Sequence, residues 1–291
     1  MLAGLLRDGP VLLDGGLSTA LGEAGHDLSD ALWSARLLRD DPAAIASAHR
    51  AFAEAGAQVA ITASYQASVE GFARAGIERG RALELIAASV ALARGCGVVA
   101  GSVGPYGAML ADGSEYTGEY GPVTRDDLRA FHAPRVAALV AAGADCLAFE
   151  TIPRIDEAQV LAELAELAGP CQAWLSFSCR DGARLSSGEP IEDAVRVAER
   201  SPQIVAVGVN CTAPEHVDEL LERARTVTEL PLVCYPNSGW TWDASTREWL
   251  DADAHAFAPS AVTGWIERGA LLVGGCCGIG PRGIAQIAAA L

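Results

Sequence analysis

The stretch Ala270-Leu271-Leu272-Val273-Gly274-Gly275-Cys276-Cys277-Gly278-Ile279-Gly280-Pro281 decides how this chain is read. Four apolar residues give a buried strand, a glycine-rich turn follows, and a proline opens a helix. This is one β-loop-α unit with its chemistry at the carboxyl end of the strand. Adjacent cysteines seldom pair with each other, because the eight-membered ring strains the peptide between them. They more often share a metal or do redox work. A similar unit lies upstream, where Ile204-Val205-Ala206-Val207-Gly208-Val209 runs into Asn210-Cys211 and Pro214 opens the next helix. Three thiols delivered from two strand ends form a soft ligand set that favours zinc. Three protein ligands leave a fourth position open, as in catalytic rather than structural zinc sites.

The same alternation runs from end to end of the chain. Strands are expected at 11–14, 58–62, 98–102, 146–150, 172–177, 204–209, 231–235 and 270–274. Helix signals stand between them. Asp41-Pro42 is an N-cap with a first-turn proline, and Gly56 can close that helix. Thr124 with Asp127 resembles a capping box, and 156–167 is an amphipathic run that stops at Gly169-Pro170. Pro214 opens a helix over 215–225, and Pro281 opens a last one ending at Leu291. Eight such units in 291 residues predict an α/β fold, a single-domain (β/α)8 TIM barrel over 1–291; about 250 residues is typical of that fold. A doubly wound open sheet is the alternative. It would show a second domain or a glycine-rich first turn, and neither is evident. Two long loops, 103–122 and 236–260, are rich in Gly, Tyr or Trp, as binding loops are.

Composition narrows the partners. A formal net charge of −16 argues against nucleic acid and anionic membrane surfaces. No apolar run approaches the ~18 residues of a membrane span, and the first ten residues lack the apolar core of a signal peptide. Eight cysteines in a chain of this length do not read as a secreted disulfide framework. The expected compartment is the reducing cytoplasm, and the expected partners are small molecules.

In a barrel of this kind the chemistry sits at the carboxyl ends of the strands. Those positions hold Asp14, Tyr65, Ser102, Glu150, Asn210, Cys211, Asn237, Cys276 and Cys277. Taken singly, each acid reads as an exposed strand-end carboxylate and each cysteine as a small buried hydrophobe. Cys96, Cys146, Cys171, Cys179 and Cys234 read that way. His49, His132 and His216 lie in helical segments and read as surface or packing residues. The joint pattern at the strand ends is what points to a site. A second reading of 274–280 is a phosphate cradle ahead of a helix N-terminus, though it makes no use of the cysteines and no lysine stands nearby.

Seven stretches carry a family resemblance: VLLDGGLSTALG at 11–22, ITASYQASVEGF at 61–72, GSVGPYGAMLADGSEYTGEY at 101–120, FETIP at 149–153, GVNCTAP at 208–214, YPNSG at 235–239 and GGCCGIGP at 274–281. In these the chain resembles the homocysteine S-methyltransferases, zinc enzymes on a (β/α)8 barrel that methylate homocysteine to methionine. The resemblance implies one zinc held by Cys211, Cys276 and Cys277, which form the catalytic centre. It implies that Asp14 and Glu150 hold the substrate ammonium, that Gly15 and Gly16 present backbone N–H groups to its carboxylate, and that Asn210 belongs to the substrate pocket. The stretches at 101–120 and 235–239 are most similar to the branch using S-methylmethionine or S-adenosylmethionine. Tyr106, Tyr116, Asn237 and Trp240 are the candidate contacts to that sulfonium donor, the aromatics by cation–π attraction. A betaine- or other donor-dependent homocysteine methyltransferase and a non-catalytic zinc or thiol-redox protein are the competing readings.

Overall fold

A computed structural model describes residues 2–28, 32–239, 241–243, 248–250 and 259–291. Eight parallel strands form one sheet: β1 (Val11–Leu12), β2 (Val59–Ile61), β3 (Val98–Val103), β4 (Cys146–Ile152), β5 (Gln172–Phe177), β6 (Ile204–Asn210), β7 (Leu232–Tyr235) and β8 (Ala270–Val273). The order β1-β8-β7-β6-β5-β4-β3-β2 leaves β1 and β2 at the two ends. They meet through a bridge between Leu13 and Val59, with Asp14 N–H donating to Val59 O at 3.1 Å and Gln58 N–H to Leu12 O at 2.8 Å. The sheet therefore closes into the expected (β/α)8 barrel. The first strand is shorter than the expected 11–14 because side chains replace part of its ladder. Gln58 Oε1 accepts from Leu12 N–H at 2.9 Å, and Asp14 Oδ2 accepts from Ile61 N–H at 2.8 Å.

The strands are apolar on both faces because both are covered. Inside lie Leu13, Val59, Ala100, Ala148, Trp174, Ala206, Val233 and Leu272; outside, helices pack a second apolar layer onto the strands. Leu2 and Leu6 join the inner cluster from below, where the Ala3 N–H donates to Gln172 Oε1 at the start of β5. The polar mouth is thus at the other end. Among the described residues no helix is long and apolar enough to cross a membrane.

The expected caps are present. Asp41 accepts from Ala44 N–H ahead of the helix Pro42–Glu54. Thr124 and Asp127 exchange side-chain-to-backbone bonds at the start of Arg125–Ala141. Two helix boundaries differ from expectation. Pro214 opens a short 3₁₀ turn, Pro214–His216, before Val217–Arg225, and the last helix, Pro281–Ala288, stops short of Leu291.

The 103–122 loop is not irregular: it contains a helix, Tyr106–Leu110, and a 3₁₀ turn, Ser114–Tyr116. Fully buried Glu157 fastens it to the barrel. Its carboxylate accepts from Tyr106 N–H at 2.6 Å, Tyr120 OH at 2.6 Å and His132 Nε2 at 2.8 Å. Arg135, 1% exposed, donates to His132 Nδ1 at 2.8 Å and to Gly104 O. Because Nδ1 accepts, His132 carries its proton on Nε2 and is neutral. Burial first, then the Arg135 charge, pushes its pKa down to about 4. Removing the carboxylate strands three buried polar groups. Glu157→Ala is expected to cost about 3–5 kcal/mol, read as a lower urea midpoint, and Glu157→Gln, which keeps the shape, distinctly less.

Candidate active site

A cavity of about 510 Å³ opens at the carboxyl ends of the strands. Its floor carries the three sulfurs. The Sγ atoms of Cys211, Cys276 and Cys277 all lie within 4.8 Å of one another, with Cys211 and Cys277 3.6 Å apart. Tetrahedral zinc with Zn–S bonds of about 2.3 Å spaces its sulfurs about 3.8 Å apart, so this donor set fits a zinc ion.

The segment after β7 holds the two cysteine loops in place. Cys211 N–H donates to Tyr235 O at 3.1 Å, and Cys276 N–H to Pro236 O at 2.8 Å. Ser238 N–H donates to Cys277 O at 2.9 Å, and Asn237 N–H to Thr212 O at 3.1 Å. Strand order explains the arrangement: β7 lies between β6 and β8, so its loop lies between theirs. Asn237 Oδ1 accepts from Gly239 N–H at 2.9 Å and closes the turn. Asn237 is thus a brace and does not line the cavity.

Asn210 is a clamp. Its Oδ1 accepts from Thr151 N–H at 2.6 Å and from Ser176 Oγ at 2.8 Å, while its Nδ2 donates to Thr151 Oγ1 at 2.8 Å. Thr151 needs that grip, because its φ of +61° is in the left-handed region, which a β-branched residue strongly avoids. Cys211, next to Asn210, also has a positive φ, +47°. Fully buried Asn210 spends its amide oxygen and one amide N–H on these bonds, and it does not line the cavity.

The glycines after Asp14 serve close approach. A Cβ on Gly15 would stand 2.3 Å from Ile279 O, and one on Gly16 2.7 Å from Cys276 O. Any side chain there would push the first loop off the cysteine loop. Gly16 N–H is already committed to Ile279 O at 2.9 Å.

Both acids are buried. Asp14 is 1% exposed, and while its Oδ2 is bonded to Ile61 N–H, its Oδ1 has no partner. Burial, with Glu150 adding repulsion, raises its pKa well above the ordinary carboxylate value. Glu150 lines the cavity and accepts from Ser102 Oγ and from Tyr235 OH, the latter at 3.1 Å. Burial outweighs those bonds and lifts its pKa to about 7. Among the thiols, hydrogen bonds from Cys276 and Cys277 hold Cys211 well below the ordinary thiol value. Their bonds to Cys211 hold Cys276 and Cys277 well above it.

The candidate donor contacts separate. Tyr116 lines the cavity, with its OH 3.2 Å from Cys211 Sγ. Tyr106 does not; its ring packs 5.4 Å from Tyr120 and 5.0 Å from Phe131 in an outer cluster. Trp240 lies outside the described residues. Sequence reasoning gave no place to Thr19, Glu23, Leu28, Ser34, Gln66 and Thr151, all of which line the cavity. Gln66 lies within the 61–72 stretch but beyond its strand end, where register assigns no orientation.

A parallel barrel with three thiols and the buried carboxylate of Glu150 around one cavity, and Asp14 buried just before the cavity-lining Gly15 and Gly16, defines a thiol-centred (β/α)8 enzyme. A family model described as homocysteine S-methyltransferase matches residues 11–291. The chain is 45% identical over 293 residues to the homocysteine S-methyltransferase of Escherichia coli, covering 96% of this chain and 94% of that one. It is 44% identical over 315 residues to homocysteine S-methyltransferase 4 of Zea mays, covering 100% and 92%. It also matches the crystal structure of the metallated form of the E. coli homocysteine methyltransferase MmuM, with a TM-score of 0.86, 43% identity and 97% and 96% of the two chains covered. The chain belongs to the homocysteine S-methyltransferase family and is a methyl-transferring enzyme.

The clamp makes a stability prediction. Asn210→Ala removes both bonds to Thr151 and is expected to cost about 2–4 kcal/mol. Adding Thr151→Gly, which tolerates a positive φ, should return about 1 kcal/mol, as read from denaturant midpoints of the single and double variants.

Proposed function

We propose that the chain methylates homocysteine from a sulfonium donor, S-methylmethionine first and S-adenosylmethionine second, with one zinc held by Cys211, Cys276 and Cys277. The observation that carries the reading is the convergence of three sulfurs on one cavity wall, close enough to share an ion. The metallated form of the E. coli relative supports a metal at this centre. A zinc bound there supplies a Lewis acid that keeps the acceptor thiol deprotonated at neutral pH.

The chain's own residues do the rest. Unpartnered Asp14 Oδ1 and the Glu150 carboxylate receive the homocysteine ammonium. With Gly16 N–H committed elsewhere, the substrate carboxylate falls to Gly15 and to the first turn of the helix Leu17–Glu23, whose Leu17, Ser18 and Thr19 line the cavity. Asn210 acts here by holding Thr151, and Asn237 by bracing the cysteine loops, so neither touches a substrate. Transfer turns a thiolate and a sulfonium into two neutral thioethers, so no acid or base is needed at the reacting atoms. What remains is alignment, which reaches ~7–11 kcal/mol for well-oriented partners. Tyr116 OH, beside Cys211 Sγ, borders the reacting face. We read 1–291 as one domain, since the β1–β2 closure joins the first unit to the barrel. We place it in a reducing compartment such as the cytoplasm, where the three thiols stay available.

The test is a donor panel against homocysteine, run on zinc-loaded and chelator-stripped protein. S-methylmethionine should give the highest kcat/KM, and stripping should abolish turnover until zinc is restored at one per chain. Faster turnover with betaine or methyltetrahydrofolate, or full activity without metal, would overturn the corresponding half.

Glu150 also makes the reaction pH-dependent. Its pKa near 7 means that below that pH the cavity presents a neutral acid to the ammonium, and above it a carboxylate. The KM for homocysteine should therefore rise as pH falls through about 7. Glu150→Gln should raise the KM at pH 8, flatten that rise and leave zinc content unchanged; loss of zinc instead would make Glu150 a ligand.

A further inference from the structure

The cavity is larger than one substrate requires. Homocysteine has eight heavy atoms, whereas cavities like this one, about 510 Å³, take drug-sized ligands. Besides the sulfurs and Glu150, its lining includes residues of the helix Leu17–Glu23 and of the turn at 63–66. Gln66 stands in that turn. It is 6% exposed, and its Nε2 donates to Ala108 O at 2.7 Å. That bond fixes the amide: the flipped form would set two acceptor oxygens against each other. Oε1 is thereby left as a buried acceptor with no partner, on a residue that lines the cavity. Buried polar groups are almost always paired, so an orphan acceptor on a cavity-lining residue calls for a ligand donor. Asp14 and Glu150 already answer the homocysteine ammonium.

We propose that Gln66 Oε1 accepts a hydrogen bond from the α-ammonium of the methyl donor, making Gln66 the residue that selects amino-acid sulfonium compounds. The inference rests on the sulfonium reading above and specifies its second half. A neutral amide suits the place, because a third carboxylate near Asp14 and Glu150 would share their burial and repulsion. Negative charge is supplied at longer range by Glu23, exposed at the rim of the same cavity. The selection has a clear sign. S-methylmethionine and S-adenosylmethionine both carry N–H groups on the ammonium, whereas the quaternary nitrogen of betaine carries none. A site built to pair an N–H rejects the analogue lacking it, because its own polar group stays unpaired.

The experiment removes the contact from each side. Zinc-loaded enzyme at saturating homocysteine is given S-methylmethionine or dimethylsulfoniopropionate, which keeps the sulfonium and carboxylate but has no ammonium. The ratio of the two kcat/KM values is measured for wild type and for Gln66→Met, which keeps the side-chain length without the acceptor. The expected result is a ratio lowered about 10- to 100-fold in the variant, arising in the KM for S-methylmethionine. Gln66→Asn, which draws the acceptor back by one methylene, gives the same comparison if Gln66→Met melts early. An unchanged ratio, or a loss that falls on the KM for homocysteine, overturns the assignment. Wild-type turnover confined to a donor that is not a sulfonium would overturn the sulfonium reading itself, and this inference with it.

Discussion

Three sulfurs cannot converge from two loops unless the backbone between those loops is held, and the segment at 235–238 holds it. It lies between the loop bearing Cys211 and the loop bearing Cys276 and Cys277, with hydrogen bonds running to each. Closure of the barrel makes this possible, since only adjacency of β6, β7 and β8 brings the three loops together. The Gly15-Gly16 turn packs against the cysteine loop from the opposite side, at distances that exclude any side chain. The geometry of the three thiols is therefore a property of backbone packing, and they sit on a frame already fixed.

That frame stores strain where the chemistry is. Thr151 and Cys211 both take left-handed backbone conformations, each one residue past a functionally placed Glu150 or Asn210. Such residues cost about 1–3 kcal/mol each and persist only where their surroundings over-determine them. Asn210 supplies that over-determination through paired bonds to Thr151, tying the acid-bearing end of β4 to the cysteine-bearing end of β6. Glu157 does comparable work further out, fixing the loop that delivers Tyr116 to the cavity.

Much of this was legible in the sequence, because it depends on period and punctuation. Fully buried strands appear as short apolar runs, and the residues just past each run land at the mouth. That rule brought Glu150, Cys211, Cys276 and Cys277 to the cavity, with Asp14 next to the cavity-lining Gly15 and Gly16. It failed where direction matters more than position. Asn210 and Asn237 come after strands, yet their amides turn inward to backbone and not to the cavity. Tyr106 lies in a glycine-rich loop, yet its ring faces Phe131 on the outer layer. The Glu157–His132–Arg135 network joins residues from two helices, and no local spacing announces it. Gln66 was invisible as a site residue because its significance is an unmet hydrogen bond, which only packing defines.

On the proposed function, the buried charges around the cavity sort two cations. Burial raises the cost of ionising both Asp14 and Glu150, and the Glu150 charge adds to that cost at Asp14. Two buried carboxylates in that state bind an ammonium strongly only if it arrives between them and satisfies both, which selects for the geometry of an amino acid at that point. A second cation gains little from the same pair once they are neutralised. It must be recognised by a group whose strength does not depend on net charge, and a fixed amide acceptor is such a group. The net charge of −16 favours approach of the cationic sulfonium donor and is indifferent to zwitterionic homocysteine. On the proposed function, discrimination is left to the interior, where carboxylates take one amino acid and an uncharged acceptor takes the other.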